Sequence, residues 1–335
     1  MSQRLLLITP TFHGYYKSIA RALEGVGYEV TSHCYDGFSK VRDKIRNKAL
    51  FELPGRIGLD GTGRAEQWAT ARALQALEET RPHKLVVIKG DSLGVDFWAE
   101  VERRRLPRIL WLYDDLARHR YDDDFLRSIG PVATYSRDEA AVLTSKGVTA
   151  AFLPNAFDPS LASPPAKRTP EIVFVGSRYP NRVALLEGLK RDGLPVRAYG
   201  RQWSRHAFDR LRTWEISRPD LPSERDIPLS QAYVVQAEAA AAINIHGLQA
   251  GLAMRTFEVP GMGGLQLIDR PDVAEFYEPG VEALVFGNPN ELGELAARAI
   301  KDTLWAERLR TAGRKRTLAE HTFAHRMPIL EALWH

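Results

Sequence analysis

The sequence holds a single cysteine, Cys34, in 335 residues. One thiol excludes an internal disulfide and any multi-cysteine metal site. Long apolar runs are missing too: none approaches the ~20 residues that a membrane-spanning helix needs. The N-terminal Leu5-Leu6-Leu7-Ile8 is too short for a signal-peptide core and runs straight into a turn. It reads as a first buried strand, and the protein is expected in the cytoplasm. Charge of one sign is nowhere concentrated, because 46 Lys and Arg are dispersed among 42 Asp and Glu. That balance favours a small anionic substrate or an acidic surface over a nucleic-acid groove. There is no internal repeat, no phosphate loop of the Walker type and no Gly-x-Ser-x-Gly elbow.

What is present is length for about two domains, with 44% hydrophobic and 26% charged residues, ordinary for a globular chain. Short apolar runs alternate with helical patterns from Leu5 to Tyr135, and the alternation restarts at Glu171. Strands separated by helices predict parallel, doubly wound sheets. Between the two series, Asp158 to Pro170 carries four prolines and few apolar residues, the clearest linker in the chain. The expectation is an α/β chain of two Rossmann-like doubly wound domains facing a central cleft. An acceptor domain spans 1–160, a linker 161–170 and a nucleotide domain 171–315, and a C-terminal helix over 316–335 returns towards the first domain. Ligands of such sheets bind at the carboxyl ends of the strands.

The candidate donor residues lie at those ends. The stretch Ala239 to Asp269 reads as a strand ending in Asn244, Ile245 and His246, a loop with Gly251, and a helix opening on Arg255, Thr256, Phe257 and Glu258. A helix start aims backbone N–H groups and a positive dipole end at an anion. Arg255 suits a phosphate and Glu258, three residues on and on the same face, a ribose diol. A second strand, Ile172 to Val175, ends in Gly176, Ser177, Arg178, Tyr179, Pro180, Asn181 and Arg182, which puts Arg178 and Arg182 within reach of a diphosphate. The segment from Pro195 to Tyr199 and Gly200 is a further strand end, expected to border the base. In the first half, His13, Asp91 and Asp114 each follow a strand and qualify by location as the base that removes an acceptor proton. Each is equally placed to be a helix cap or a solvated loop residue. Asp122-Asp123-Asp124 reads as a helix start rather than a metal site. His321 and His325 have ligand spacing, but Thr322 stands where a zinc protease carries glutamate.

Several of these motifs together resemble a known family. Phe174-Val175-Gly176-Ser177 with Arg182, Arg255-x-Phe257-Glu258 with Gly263, and His321-Thr322-Phe323-x-His325-Arg326 resemble the CgeB-like, spore-maturation type of glycosyltransferase in the GT-B superfamily. Tyr135-Ser136-x-Asp138-Glu139 and Leu153-Pro154-Asn155-Ala156 look like the family's passage between lobes, so the resemblance covers about residues 85 to 335. It implies a two-lobed transferase that binds a UDP-, dTDP- or GDP-linked sugar mainly through the C-terminal lobe, with no metal and no cofactor. By the same resemblance Glu258 holds the ribose and the pair Arg178 and Arg182 the diphosphate. Related retaining enzymes carry a first glutamate eight positions before the second, where this chain has Ala250. The acceptor, the stereochemical outcome and the oligomeric state are left open. Two rivals stay beside it: an epimerase or hydrolase of sugar nucleotides, and a nucleotide-binding assembly protein without turnover.

Overall fold

A computed structural model of the chain describes residues 2–36, 61–162, 165, 167–247 and 249–334. They divide into two compact units, Met1–Pro154 with Arg326–His335, and Asn155–His325.

The first unit is built on six strands: β1 (Gln3–Thr9), β2 (Tyr28–Cys34), β3 (Lys84–Ile88), β4 (Arg108–Trp111), β5 (Val132–Thr134) and β6 (Ala150–Phe152). They lie in the order β2-β1-β3-β4-β5-β6, and all pairings are parallel. A parallel sheet covered on both faces buries every side chain of its central strands, which is why they read as unbroken apolar runs. Leu5, Leu6, Leu7 and Ile8 are all buried. Helices α1 (Tyr15–Gly25), α2 (Gly61–Thr80), α3 (Val95–Arg103), α4 (Asp123–Ile129) and α5 (Arg137–Ser145) connect the strands. The three-aspartate run opens α4: Asp122 caps it by accepting the Phe125 amide at 2.8 Å, and Asp123 pairs with Lys146.

The second unit repeats the plan with β7 (Ile172–Val175), β8 (Val196–Tyr199), β9 (Ser223–Glu224), β10 (Ala241–Asn244), β11 (Gln266–Ile268) and β12 (Leu284–Val285). Their order is β12-β11-β10-β7-β8-β9, again all parallel. Helices α6 (Pro180–Arg191), α7 (Ala207–Thr213), α8 (Leu229–Glu238), α9 (Arg255–Gly261), α10 (Pro289–Lys301), α11 (Thr303–Glu320) and α12 (Phe323–Ala332) complete it. Ile172, Phe174 and Ile243 feed the larger core with Trp203 and Leu267, while Val173 and Ala242 face the other side with Val259. The last helix starts in this unit, and from Arg326 on it is counted with the first. There Arg326 Nε donates to Pro154 O at 2.9 Å and Glu331 accepts the Tyr28 hydroxyl at 3.0 Å.

Each order contains one reversal. The chain runs outward through β1 and β2 and then returns to place β3 on the other side of β1. In the second sheet β7, β8 and β9 run one way and β10 starts again beside β7. At such a reversal the two strands' connections run on to opposite faces of the sheet, and the crevice beyond the strand ends is where open α/β sheets take ligands.

Candidate functional site

At the reversal of the second sheet the loops after β7 and β10 meet. Gly176 closes β7 with φ 154°, and a Cβ there would stand 3.0 Å from Arg255 Nη1. The Arg255 guanidinium lies 5.7 Å from the centre of the Phe174 ring, so it spans from α9 to the end of β7. Gly200 closes the neighbouring β8. A Cβ on it would meet the Gly176 carbonyl oxygen at 2.7 Å, and that oxygen also accepts the Trp203 indole N–H at 2.8 Å. Glycine is required here because two backbones touch. Arg178, on the same loop, is half-buried and pairs with Glu215 at 2.7 Å. Tyr199 packs beside Val173 and Ala242, and burial pushes its phenol up.

The remaining donor candidates have a different position. Arg182 is buried; its Nε and Nη2 donate to Ile245 O at 3.0 and 2.6 Å and its Nη1 to Ser177 O at 2.9 Å. Expected at the diphosphate, this guanidinium is turned onto two strand-end carbonyls and ties the β7 and β10 loops together. His246 is equally committed. Its Nε2 accepts the Ala253 amide at 3.0 Å, which requires the proton on Nδ1, where it is donated to Asp269 at 2.9 Å. Burial holds the ring below the usual histidine range against the opposing pull of Asp269.

The start of α9 is also more closed than a phosphate cradle needs. The Thr256 amide donates to Ala253 O, and those of Phe257 and Glu258 to Met254 O. Thr256 is buried, its hydroxyl accepting Asn244 Nδ2 at 3.1 Å. Glu258 is 2% exposed and accepts the Tyr233 hydroxyl at 2.9 Å. Pro260, inside the helix, has no N–H for the Thr256 carbonyl four residues back, and Gln266 Nε2 approaches that carbonyl instead at 3.4 Å.

In the first unit three residues other than glycine have left-handed backbone at the carboxyl ends of adjacent strands: His13 (φ 48°) after β1, Lys89 (φ 61°) after β3 and Tyr113 (φ 60°) after β4. Each costs about 1–2 kcal/mol, and such strain collects at functional loops. His13 is exposed. Asp114 is held by Lys89 Nζ at 3.1 Å and by Arg118 Nη1 at 3.2 Å. Asp91 lies beside the His119 ring, with Nδ1 3.9 Å from Oδ2. His119 stacks on Tyr121, its side chain fully covered. Burial holds its pKa below the usual histidine range, against the opposing pull of Asp91. Sequence reasoning passed over His119 and Lys89. Nothing in Arg118-His119-Arg120 marks the middle residue as the one that turns inward, whereas Lys89 could have been noticed from the Gly90 beside it.

Comparison with known proteins bears on the whole chain. A family model described as glycosyl transferase-like matches residues 178–332, which includes Arg178, Arg255 and Glu258. No curated protein matches the sequence. Sucrose-phosphate synthase of Thermosynechococcus elongatus is similar in structure, with a TM-score of 0.64 at 15% identity over 98% of both chains. HepE of Anabaena, solved with UDP-glucose, gives 0.63 at 13% over 99% of both. A protein assigned as a UDP-N-acetylglucosamine 2-epimerase of Listeria monocytogenes gives 0.59 at 10%, over 99% of this chain and 96% of that one. The fold is GT-B. The glycosyl transferase-like match lies in the C-terminal part of a chain with that fold. Membership of the CgeB-like subfamily remains a resemblance of motifs. Among the described residues, no helix is long and apolar enough to cross a membrane.

Proposed function

We propose that the protein moves a sugar from a nucleoside diphosphate sugar to a hydroxyl acceptor without a metal ion. The observation that carries this reading is the approach of Arg255 to Gly176 at the reversal of the second sheet; Arg255 lies inside residues 178–332, which the glycosyl transferase-like model matches, and Gly176 two positions before them. In this reading Arg255 and Arg178 face the diphosphate and stabilise the charge that develops as the bond from the anomeric carbon to the β-phosphate oxygen breaks. Glycine at 176 lets the phosphate approach the backbone. A carboxylate offers about four lone-pair sites, so Glu258 accepts a ribose diol beside the Tyr233 hydroxyl. Arg182 and His246 hold the loops that carry these groups.

The acceptor oxygen bonds to the anomeric carbon and gives up its proton. Of the three first-unit candidates, Asp91 suits an inverting reaction best as base: Asp114 is engaged by two cations, while Asp91 has the buried His119 ring at 3.9 Å. His119 then acts as a positioning residue. Independence from metal is supported by the arginines at the donor loops.

The test is a thermal-shift screen of UDP, dTDP and GDP with their sugars, on the wild type and on Arg255→Ala, followed by diphosphate release with and without candidate acceptors. One nucleoside diphosphate is expected to raise the Tm of the wild type, since a ligand of the folded state alone stabilises it, and Arg255→Ala to lose that shift. Absence of any shift, or a nucleoside monophosphate that binds as well as the diphosphate, removes the donor assignment. Turnover without an acceptor identifies the epimerase or hydrolase instead.

A further inference from the structure

The segment from Arg205 to Ser217 reaches the proposed donor residues through the Glu215–Arg178 ion pair. It contains α7 and the turn after it. Phe208, Leu211, Trp214 and Ile216 are 56%, 68%, 71% and 82% exposed, four of the eleven exposed large hydrophobic residues among those described. The inward face of the helix is anchored separately: Asp209 is buried, accepting the Ser204 hydroxyl and pairing with Arg225 at 2.8 Å.

Trp214 adds a second anomaly. It caps the helix in left-handed conformation, φ 57° and ψ 20°, a position that ordinarily falls to glycine or asparagine because a bulky side chain is strained there. A tryptophan that is both strained and exposed is costly on two counts for the folded unit by itself.

The charge around this cluster is positive. Arg205 pairs with Asp220 at 2.9 Å, while Arg210 and Arg212 are in the segment without an ion pair among the described residues. Both acids of the segment are taken up by arginines outside it, Asp209 by Arg225 and Glu215 by Arg178 and Arg218. Four side chains on two turns of chain are too few for the ~800 Å² that each partner buries in a stable protein interface. Aromatic and aliphatic residues flanked by arginine are, however, the composition of a helix that lies in the boundary between lipid headgroups and acyl chains.

We infer that the Arg205–Ser217 segment docks the protein on an anionic lipid surface. Phe208, Leu211, Trp214 and Ile216 enter the headgroup boundary, and Arg210 and Arg212 meet the lipid phosphates. The inference is independent of the donor assignment.

It is tested by co-sedimentation of the full chain with phosphatidylcholine vesicles, with and without phosphatidylglycerol. The wild type is expected to partition onto the anionic vesicles, less so at high salt, and to ignore the neutral ones. Trp214→Gly, whose backbone suits the left-handed cap, should lower partitioning at least about tenfold while keeping the Tm and the nucleoside diphosphate shift of the wild type. Leu211→Ser with Ile216→Ser serves as the second variant. Equal partitioning onto both vesicle types, or wild-type partitioning by both variants, overturns the inference. So does a dimer, found by sedimentation without lipid, that Trp214→Gly dissolves, since the patch would then bind a second copy of the chain.

Discussion

His246 Nδ1 donates to Asp269 Oδ1 at 2.9 Å, while its other ring nitrogen accepts the Ala253 amide at 3.0 Å. The pair fixes the loop between β10 and α9 through a neutral imidazole, and protonation of Nε2 would set its N–H against that of Ala253.

That relation gives a pH dependence. Burial lowers the pKa of His246 in the folded protein, that of His119 and that of His33, the last to about 4. On falling below ~6.5 the unfolded chain therefore takes up protons before the folded one does. Their contribution to stability is complete above ~6.5 and is lost as the pH falls from there towards 4. Melting temperature should drop across that window, and less steeply in His246→Gln, which should itself cost about 1–3 kcal/mol at neutral pH. Parallel curves for the two proteins would dismiss His246 as a source of the effect.

Arg182 and Arg178 should separate in their effects. Arg182→Ala leaves the Ile245 and Ser177 carbonyls without their buried donor and is expected to cost ~2–4 kcal/mol in urea unfolding. Arg178→Ala, at a half-exposed ion pair, should cost at most ~1 kcal/mol and weaken the nucleoside diphosphate about tenfold, read by calorimetry. The reverse order of stability losses would return the diphosphate role to Arg182.

Gly200 and Gly193 offer a paired test of close packing. At Gly193 (φ 79°) an added Cβ meets nothing within 4 Å, whereas at Gly200 (φ 144°) it meets the Gly176 carbonyl at 2.7 Å. Gly193→Ala should cost ~1 kcal/mol from backbone strain alone. Gly200→Ala should cost at least ~2 kcal/mol more, since backbone atoms must shift. Equal losses in denaturant titrations would mean that the two loops are not held in contact.

For the base, Asp91→Asn should lower kcat by about 10²–10⁴ with nucleoside diphosphate affinity unchanged. His119→Phe should lower it less and move the pH profile of kcat. Wild-type turnover by Asp91→Asn would pass the role to His13 or Asp114.

The strands could be read from the chain because a parallel sheet buried on both faces demands runs such as Leu5 to Ile8 and Ile172 to Val175, whatever follows them. The strand-end loops were legible for the same reason, Gly176 and Gly200 included. α7 and the short β9 were not, since an exposed helix with one buried acid has no apolar stripe to reveal it. The sequence by itself determined two series of strands and helices, and hence which loops stand at strand ends. Only the tertiary structure decided which way their side chains turn. Arg182 and Ile245, 63 positions apart, meet because a crossover sets β10 beside β7. Whether a guanidinium then satisfies a buried carbonyl or faces water depends on that neighbour, which no local pattern names.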